Sequence, residues 1–287
     1  MKSFRLALAQ TRSHVGTEDF DPRDANLETA WSRIRQAAEE KAGIVVFGEM
    51  HLSGYRTDEY LYKYATVVDP PDRHVQALMN AAKQHNLIII MGAATFGATI
   101  PGDIYNSAII VGPEGLIGVY RKSHVAAFPY SKGLSTERCF YSPGKELPVF
   151  DTPVARLGVH ICYDVTFPEV PRVQALKGAD ILINVSASAA GFEEYWKHLL
   201  FVRAAENASW YAVCSVVGEQ RGDVLFGSSR IVAPTGQIVA EAKYLEEDFI
   251  VANIDCSVSR AARAQGHTFN NRNPRLYSVI TEETPYP

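Results

Sequence analysis

The feature that most limits the fold is an alternation of short unbroken apolar runs with segments of helical periodicity. Ile44–Phe47, Leu87–Met91 and Ile181–Val185 are apolar from end to end, apart from Asn184. Runs this short and continuous read as strands covered on both faces. Behind Asp21-Pro22, a cap and first-turn pair, Leu27, Ala30, Trp31, Ile34, Ala37 and Ala38 recur at helical spacing, with Gly43 as the predicted stop. Asp72–Asn86, Phe167–Lys177 and Phe192–Asn207 are further predicted helices. Two hairpins interrupt the alternation. Ile104–Val111 and Leu116–Tyr120 turn about Gly112-Pro113-Glu114-Gly115, and Ser229–Ala233 and Gln237–Ala242 turn about Pro234-Thr235-Gly236. Strands over Phe4–Thr11, Val149–Val154, Leu157–Cys162, Trp210–Val217 and Phe249–Ile254 complete the pattern. It predicts one α/β domain, with a mixed sheet or two sheets packed under helices. Residues 125–146 read as a long loop, and the chain past Ser257 as an irregular polar tail.

Charge and cysteine usage narrow the function classes. A net charge of −4 and a pI near 6.1 leave no basic face for nucleic acid and no polybasic patch for a membrane. No apolar run approaches the roughly 18–20 residues of a membrane span. The N-terminus enters an alternating strand with no signal-peptide pattern, so a cytoplasmic protein is expected. The four cysteines, Cys139, Cys162, Cys214 and Cys256, are widely spaced, and reduced thiols are expected. The sequence contains no G-x-S-x-G, no P-loop, no G-x-G-x-x-G and no H-E-x-x-H. His160 and Cys162 share a strand face, but two ligands without a third make a poor metal site, and no metal or other cofactor is expected.

Three predicted strands end in reactive side chains: Glu49, Lys122 and Cys162. Strand ends are where α/β folds place their chemistry. Singly, each has a plainer reading: a small core cysteine, a solvated acid, a surface lysine. Together they form a chemically complete set. A thiol with a pKa of about 8.5 is only slightly ionised at neutral pH. A carboxylate can take its proton, and a lysine can lower its pKa and hold a developing oxyanion. The backbone N–H of Tyr163 is a second candidate oxyanion donor. This is acyl transfer without histidine.

The same stretches resemble the carbon–nitrogen hydrolase (nitrilase) superfamily. They are Val45-Val46-Phe47-Gly48-Glu49, Tyr120-Arg121-Lys122-Ser123-His124, and Gly158–Asp164 continuing as Phe167–Arg172. Arg203–Asn207 and Gly227–Gly236 follow in the family's order, and the likeness covers residues 4–256. The resemblance implies a four-layer αββα sandwich, a domain over residues 1–256, and a tail over 257–287 at an oligomer interface. It implies a homodimer or larger homo-oligomer, Glu49 as general base, Lys122 as stabiliser of the tetrahedral intermediate and Cys162 as the acyl-carrying nucleophile. It further implies Glu137 as a second glutamate positioning Lys122, and Tyr55, Ser186 and Ala187 in loops that shape the substrate pocket. Asp164 is expected to orient the nucleophile turn. Arg203–Glu206 is expected as a structural pair, His124 and His160 as structural histidines, and Cys214 as inert core.

Cys162-Tyr163-Asp164 resembles the amidase and N-carbamoyl branches rather than the Cys-Trp-Glu of nitrilases. The expected substrate is therefore a small amide or ureido compound. A nitrile substrate is one alternative, and a non-catalytic scaffold of the same fold is another. A substrate carboxylate would call for a cation, with Arg138, Arg172 and Lys132 as candidates.

Overall fold

A computed structural model describes residues 3–56, 58–98, 100, 102–126 and 137–283. Lys132, named above, and residues 127–136 of the predicted loop lie outside the described residues.

Two six-stranded sheets face each other. The first holds β1 (Phe4–Gln10), β2 (Ala42–Phe47), β3 (Ile88–Phe96), β4 (Ile104–Gly112), β5 (Gly115–Arg121) and β14 (Asp248–Ile254), in the order β14-β1-β2-β3-β4-β5. The second holds β6 (Phe150–Asp151), β7 (Arg156–Ile161), β8 (Ile181–Ser186), β9 (Trp210–Ser215), β12 (Arg230–Val232) and β13 (Ile238–Glu241), in the order β13-β12-β9-β8-β7-β6. A separate hairpin pairs β10 (Val217–Gln220) with β11 (Asp223–Phe226). Strands β1, β2 and β3 run parallel, as do β7, β8 and β9.

Strand alternation sorts the apolar side chains. Leu6 and Leu8 of β1, Ile44 and Val46 of β2, and Ile181, Ile183 and Val185 of β8 fill the space between the sheets. Ala7, Ala9, Val45 and Phe47 face outward under α1 (Arg23–Glu39) and α3 (Arg73–His85), whose Leu27, Ile34, Val75 and Leu78 cover them. On the other side, Leu182 and Val213 pack beneath Trp196 and Leu200 of α6 (Glu193–Glu206), beside α5 (Glu169–Leu176). The result is the expected αββα order of layers. Each fully buried Leu or Ile contributes roughly 1.5–3 kcal/mol, so the two-sided burial of these strands dominates the stability. The shorter helices are α2 (Leu61–Tyr64), α4 (Glu137–Phe140) and α8 (His267–Asn270).

Several boundaries differ from expectation. Gly43 does not end α1; the chain turns at Lys41, with φ of 55°, and Gly43 lies inside β2. The helix predicted from Phe167 begins at Glu169, behind a 3₁₀ turn over Cys162–Thr166. The hairpin β10–β11 interrupts what read as one strand followed by a loop. The tail is ordered at its start, where α7 (Cys256–Gln265) buries Cys256 and Ser259. That helix is held by Arg260 pairing with Asp180 at 2.9 Å and by Arg263 donating to the Ala179 carbonyl at 2.7 Å. Its buried residues are small and polar groups anchor it, so it buries no large apolar side chains of the kind that mark α1 and α3. Among the described residues, no helix is long and apolar enough to cross a membrane.

Within β7, His160 is fully buried. Its Nδ1 lies 2.9 Å from Gln174 Oε1 and its Nε2 2.5 Å from the Tyr211 hydroxyl. Gln174 Nε2 donates to the Val159 carbonyl, so Oε1 is the amide's acceptor; His160 Nδ1–H donates to it and Nε2 accepts from Tyr211. The imidazole is therefore neutral, and burial holds its pKa down to about 4 against the ordinary 6.5. The unfolded chain takes up this proton as pH falls through 6.5, whereas the folded chain does so only near 4. The stability contributed by the neutral ring is thus complete above the higher value and lost across the window below it, by about 3 kcal/mol. Urea titrations of the wild type and His160→Gln at about pH 7 and about pH 4 should show the larger loss in the wild type. Equal losses would refute a neutral buried His160.

Candidate active site

The facing ends of the two sheets bring four predicted residues together. Glu49 follows β2, Lys122 follows β5, Glu137 opens α4 and Cys162 ends β7. Glu49, Lys122 and Glu137 are each at most 1% exposed. Lys122 Nζ donates to Glu49 Oε1 at 2.8 Å and to Glu137 Oε1 and Oε2 at 3.1 and 2.9 Å. These three bonds use its whole donor capacity. Asn106, in the middle of β4, bridges the carboxylates: its Nδ2 donates to Glu49 Oε1 at 2.7 Å and to Glu137 Oε1 at 2.6 Å. Glu137 also accepts from the Ala126 N–H at 2.6 Å.

Close backbone approach builds the corner. The Glu49 N–H donates to the Ser186 carbonyl at the end of β8, 3.0 Å away. A Cβ on Gly48 would sit 2.5 Å from Val216, and one on Gly92 would sit 2.2 Å from the Gly48 carbonyl oxygen. Both positions therefore require glycine. Lys122 is pinned at both backbone groups, donating to Asn106 O at 2.8 Å and accepting from Gly144 N at 2.7 Å.

The electrostatics follow from one buried cation between two buried carboxylates. Burial raises the Glu49 pKa; Lys122 opposes this and Glu137 adds to it, and the net shift is upward. Burial works against the Lys122 charge, but Glu137 and Glu49 outweigh it and hold its pKa well above the ordinary lysine value. Burial and the Glu49 charge push the Cys162 thiol up to about 12, against the pull of Lys122, the Ala187 N–H and the Ser186 side chain. Cys162 is thus a thiol at neutral pH and needs a base. Glu49 Oε1 is engaged, while Oε2 is buried and has no hydrogen-bond partner among the described residues.

Cys162 occupies the left-handed region, with φ of 41°. Such a conformation costs a non-glycine residue about 1–3 kcal/mol and persists only when its surroundings over-determine it. Asp164 supplies much of that constraint. Its Oδ2 accepts from Tyr120 OH at 2.7 Å and Ile161 N at 3.0 Å, and its Oδ1 from Ser123 Oγ at 2.8 Å and His124 N at 2.9 Å. Burial pushes its pKa up, but hydrogen bonds from His124, Tyr120 and Ile161 outweigh this and hold it below the ordinary value. Asp164 therefore joins the segment after Lys122 to the Cys162 turn from behind, and it does not line the cavity. Asn184 Nδ2 donates to the Cys162 carbonyl at 3.3 Å. Arg203, besides pairing with Glu206 at 2.7 Å, donates to the Val165 and Thr166 carbonyls. His124 stacks on Phe167, with ring centroids 3.7 Å apart. Cys214 is buried in β9, and burial pushes its thiol pKa up.

A cavity of about 440 Å³ opens on Cys162, within the range of small-molecule sites. Tyr55, Tyr163 and Ala187 line it, as do Trp196 and Asp223, which the sequence reading did not single out. Ser186 is not on its wall; it lies against the Cys162 sulfur and bonds Ser188 Oγ at 2.8 Å. Arg138 is exposed on α4 and is not a lining residue. Arg172 donates to the Glu206 carbonyl at 2.7 Å and lies over the Phe269 ring, away from the cavity. Asn106 was also missed. Its one outward signal is a polar pair, Asn106-Ser107, inside an otherwise apolar strand. The signal for Asp223 is the Arg221-Gly222 pair, a hairpin turn between β10 and β11.

The sequence matches the carbon–nitrogen hydrolase family over residues 5–264. It is 31% identical to the omega-amidase NIT2 of Homo sapiens, covering 97% of this chain and 98% of that one. It is 32% identical to a protein named nitrilase from Pyrococcus abyssi, covering 88% of this chain and 93% of that one. In structure it resembles Saccharomyces cerevisiae Nit3, a member of branch 10 of the nitrilase superfamily. That likeness has a TM-score of 0.82 at 30% identity and covers 95% of this chain and 97% of that one. The chain is a carbon–nitrogen hydrolase of the nitrilase superfamily.

Proposed function

We propose that the protein hydrolyses a small carboxamide through a thioester on Cys162. The observation that carries this reading is the state of Glu49: one carboxylate oxygen is held by Lys122 and Asn106, and the other is buried without a partner among the described residues, near a thiol that cannot ionise unaided. A raised pKa makes Glu49 a better base than a solvated glutamate.

In this reading Glu49 Oε2 takes the Cys162 proton as sulfur attacks the carbonyl carbon. The C–S bond forms, and the carbonyl π electrons move to oxygen. Lys122 Nζ and the Tyr163 N–H stabilise that oxyanion. On collapse the C–N bond breaks, and Glu49 returns the proton to the departing nitrogen, which leaves as ammonia. Water then gives a proton to Glu49 and attacks the thioester, and the C–S electron pair reforms the thiol with that proton. Glu137 keeps Lys122 charged and in place. The same steps at a carbamoyl carbon would hydrolyse an N-carbamoyl compound.

Cys162→Ala should reduce ammonia release from amides to background while preserving the urea midpoint. Mass spectrometry of the wild type quenched during turnover should show an acyl adduct on the Cys162 peptide. Turnover by the alanine variant would overturn the mechanism, and a panel of amides, ureides and nitriles separates the three substrate classes.

Asn106→Ala tests the electrostatics. The Asn106 hydrogen bond lowers the Glu49 pKa, so its loss raises that pKa further. The base must be unprotonated, so the acidic limb of the kcat/KM–pH profile should move to higher pH. The maximal rate should fall by about tenfold to a hundredfold, because general-base catalysis is worth roughly that and more. An unmoved limb would remove Glu49 from the role of base.

A further inference from the structure

We infer that the cavity over Cys162 selects amides whose far end carries an ammonium group, with Asp223 as its counter-ion; this rests on the amidase reading above. Asp223 opens β11, the inner strand of the β10–β11 hairpin, and its side chain reaches the cavity wall. Its Oδ2 is closed to water and has no hydrogen-bond partner among the described residues. A carboxylate with an oxygen left in that state is costly, and a cation drawn to the carboxylate from the cavity that Asp223 lines offsets the cost.

The remaining wall suits the same ligand. Phe192, Tyr195 and Trp196 line the same cavity as Asp223. A ring face attracts a cation, and the attraction grows as water is excluded. No described Arg, Lys or His lines the cavity. Arg221, two residues before Asp223, pairs with Asp58 at 3.1 Å. Arg172 is committed to the Glu206 carbonyl and the Phe269 ring. A substrate ending in carboxylate would meet Asp223 with no described cation on the wall to receive it. It would also approach a cluster in which one lysine faces two glutamates.

The hairpin holds this wall firmly. Ala190 N donates to the Val224 carbonyl at 2.7 Å, and Phe226 N donates to the Ser188 carbonyl at 3.1 Å. The segment that passes the Cys162 sulfur is thereby joined to the strand carrying Asp223.

Three primary amides of matched length that differ only at the far end decide the matter: δ-aminovaleramide, hexanamide and glutaric acid monoamide. The wild type should rank them in that order by kcat/KM, with about tenfold or more between the ammonium and neutral compounds. In Asp223→Asn the ratio between those two should shrink toward unity. A preference for glutaric acid monoamide, or no discrimination between δ-aminovaleramide and hexanamide, overturns the assignment while leaving the amidase reading intact. An ammonium preference that survives Asp223→Asn unchanged removes Asp223 from the role. Hydrolysis of none of the three sinks the amidase reading and this inference together. The wild-type ranking requires no variant to fold.

Discussion

The structure turns on one ammonium group buried between two carboxylates. A charge with so little access to water is tolerated only when it is paired and every donor is used. Lys122 meets that condition with three bonds to Glu49 and Glu137. Glu137 is satisfied by Lys122, Asn106 and the Ala126 N–H. The exception in the cluster's charged groups is Glu49 Oε2. A folding requirement and a chemical one thus meet in the same atoms. Pairing makes the lysine affordable in the interior, and burial, with Glu137 adding to it against the pull of Lys122, raises the pKa of the proposed base.

That arrangement needs two sheets whose ends meet. Glu49 and Lys122 belong to the first sheet and Cys162 to the second. The inter-sheet packing of residues such as Leu8, Val46, Ile161 and Val185 sets their separation. The backbone bond from Glu49 N to Ser186 O and the Asp164 bonds to Ser123 and His124 cross between the sheets at the site itself. The strained turn at Cys162 is therefore held by both layers. Asn184 reaches it from the neighbouring strand, and Arg203 holds the turn that follows from the overlying helix.

The buried strands and the reactive strand ends were legible in sequence because both follow from local rules, whereas the four layers came from the family resemblance. Continuous apolar runs such as Ile181–Val185 announce strands covered on both faces, and a charged or nucleophilic residue at the end of such a run has nowhere to point but the sheet edge. Asp72 and Asn86 capped α3 as their types suggest, Asp72 accepting from His74 and Val75 N–H groups and Asn86 taking a φ of 50°. What stayed hidden depends on partners distant in sequence. Asn106 matters because it lies opposite Glu49 and Glu137, and nothing within β4 reveals that. Helix α7 is stabilised by Arg260 and Arg263 reaching Asp180 and Ala179, so its polar sequence reads as a tail. Gly43 suggested a helix stop, but Lys41 made the turn and the glycine went into a strand.

Reaction and selection occupy different parts of the fold. The groups assigned to bond-making sit at the junction of the two large sheets, held by buried ion pairs and backbone bonds. The cavity wall farther from Cys162 is built by α6 and by the small β10–β11 hairpin, outside both large sheets. A residue at position 223 can change its charge without breaking a bond to Glu49, Lys122 or Glu137, because none of their hydrogen bonds reaches it. With Asp223 as the inferred counter-ion, substrate preference here is set by the charge on a peripheral hairpin, while the central cluster, whose buried charges must balance, leaves little freedom for substitution.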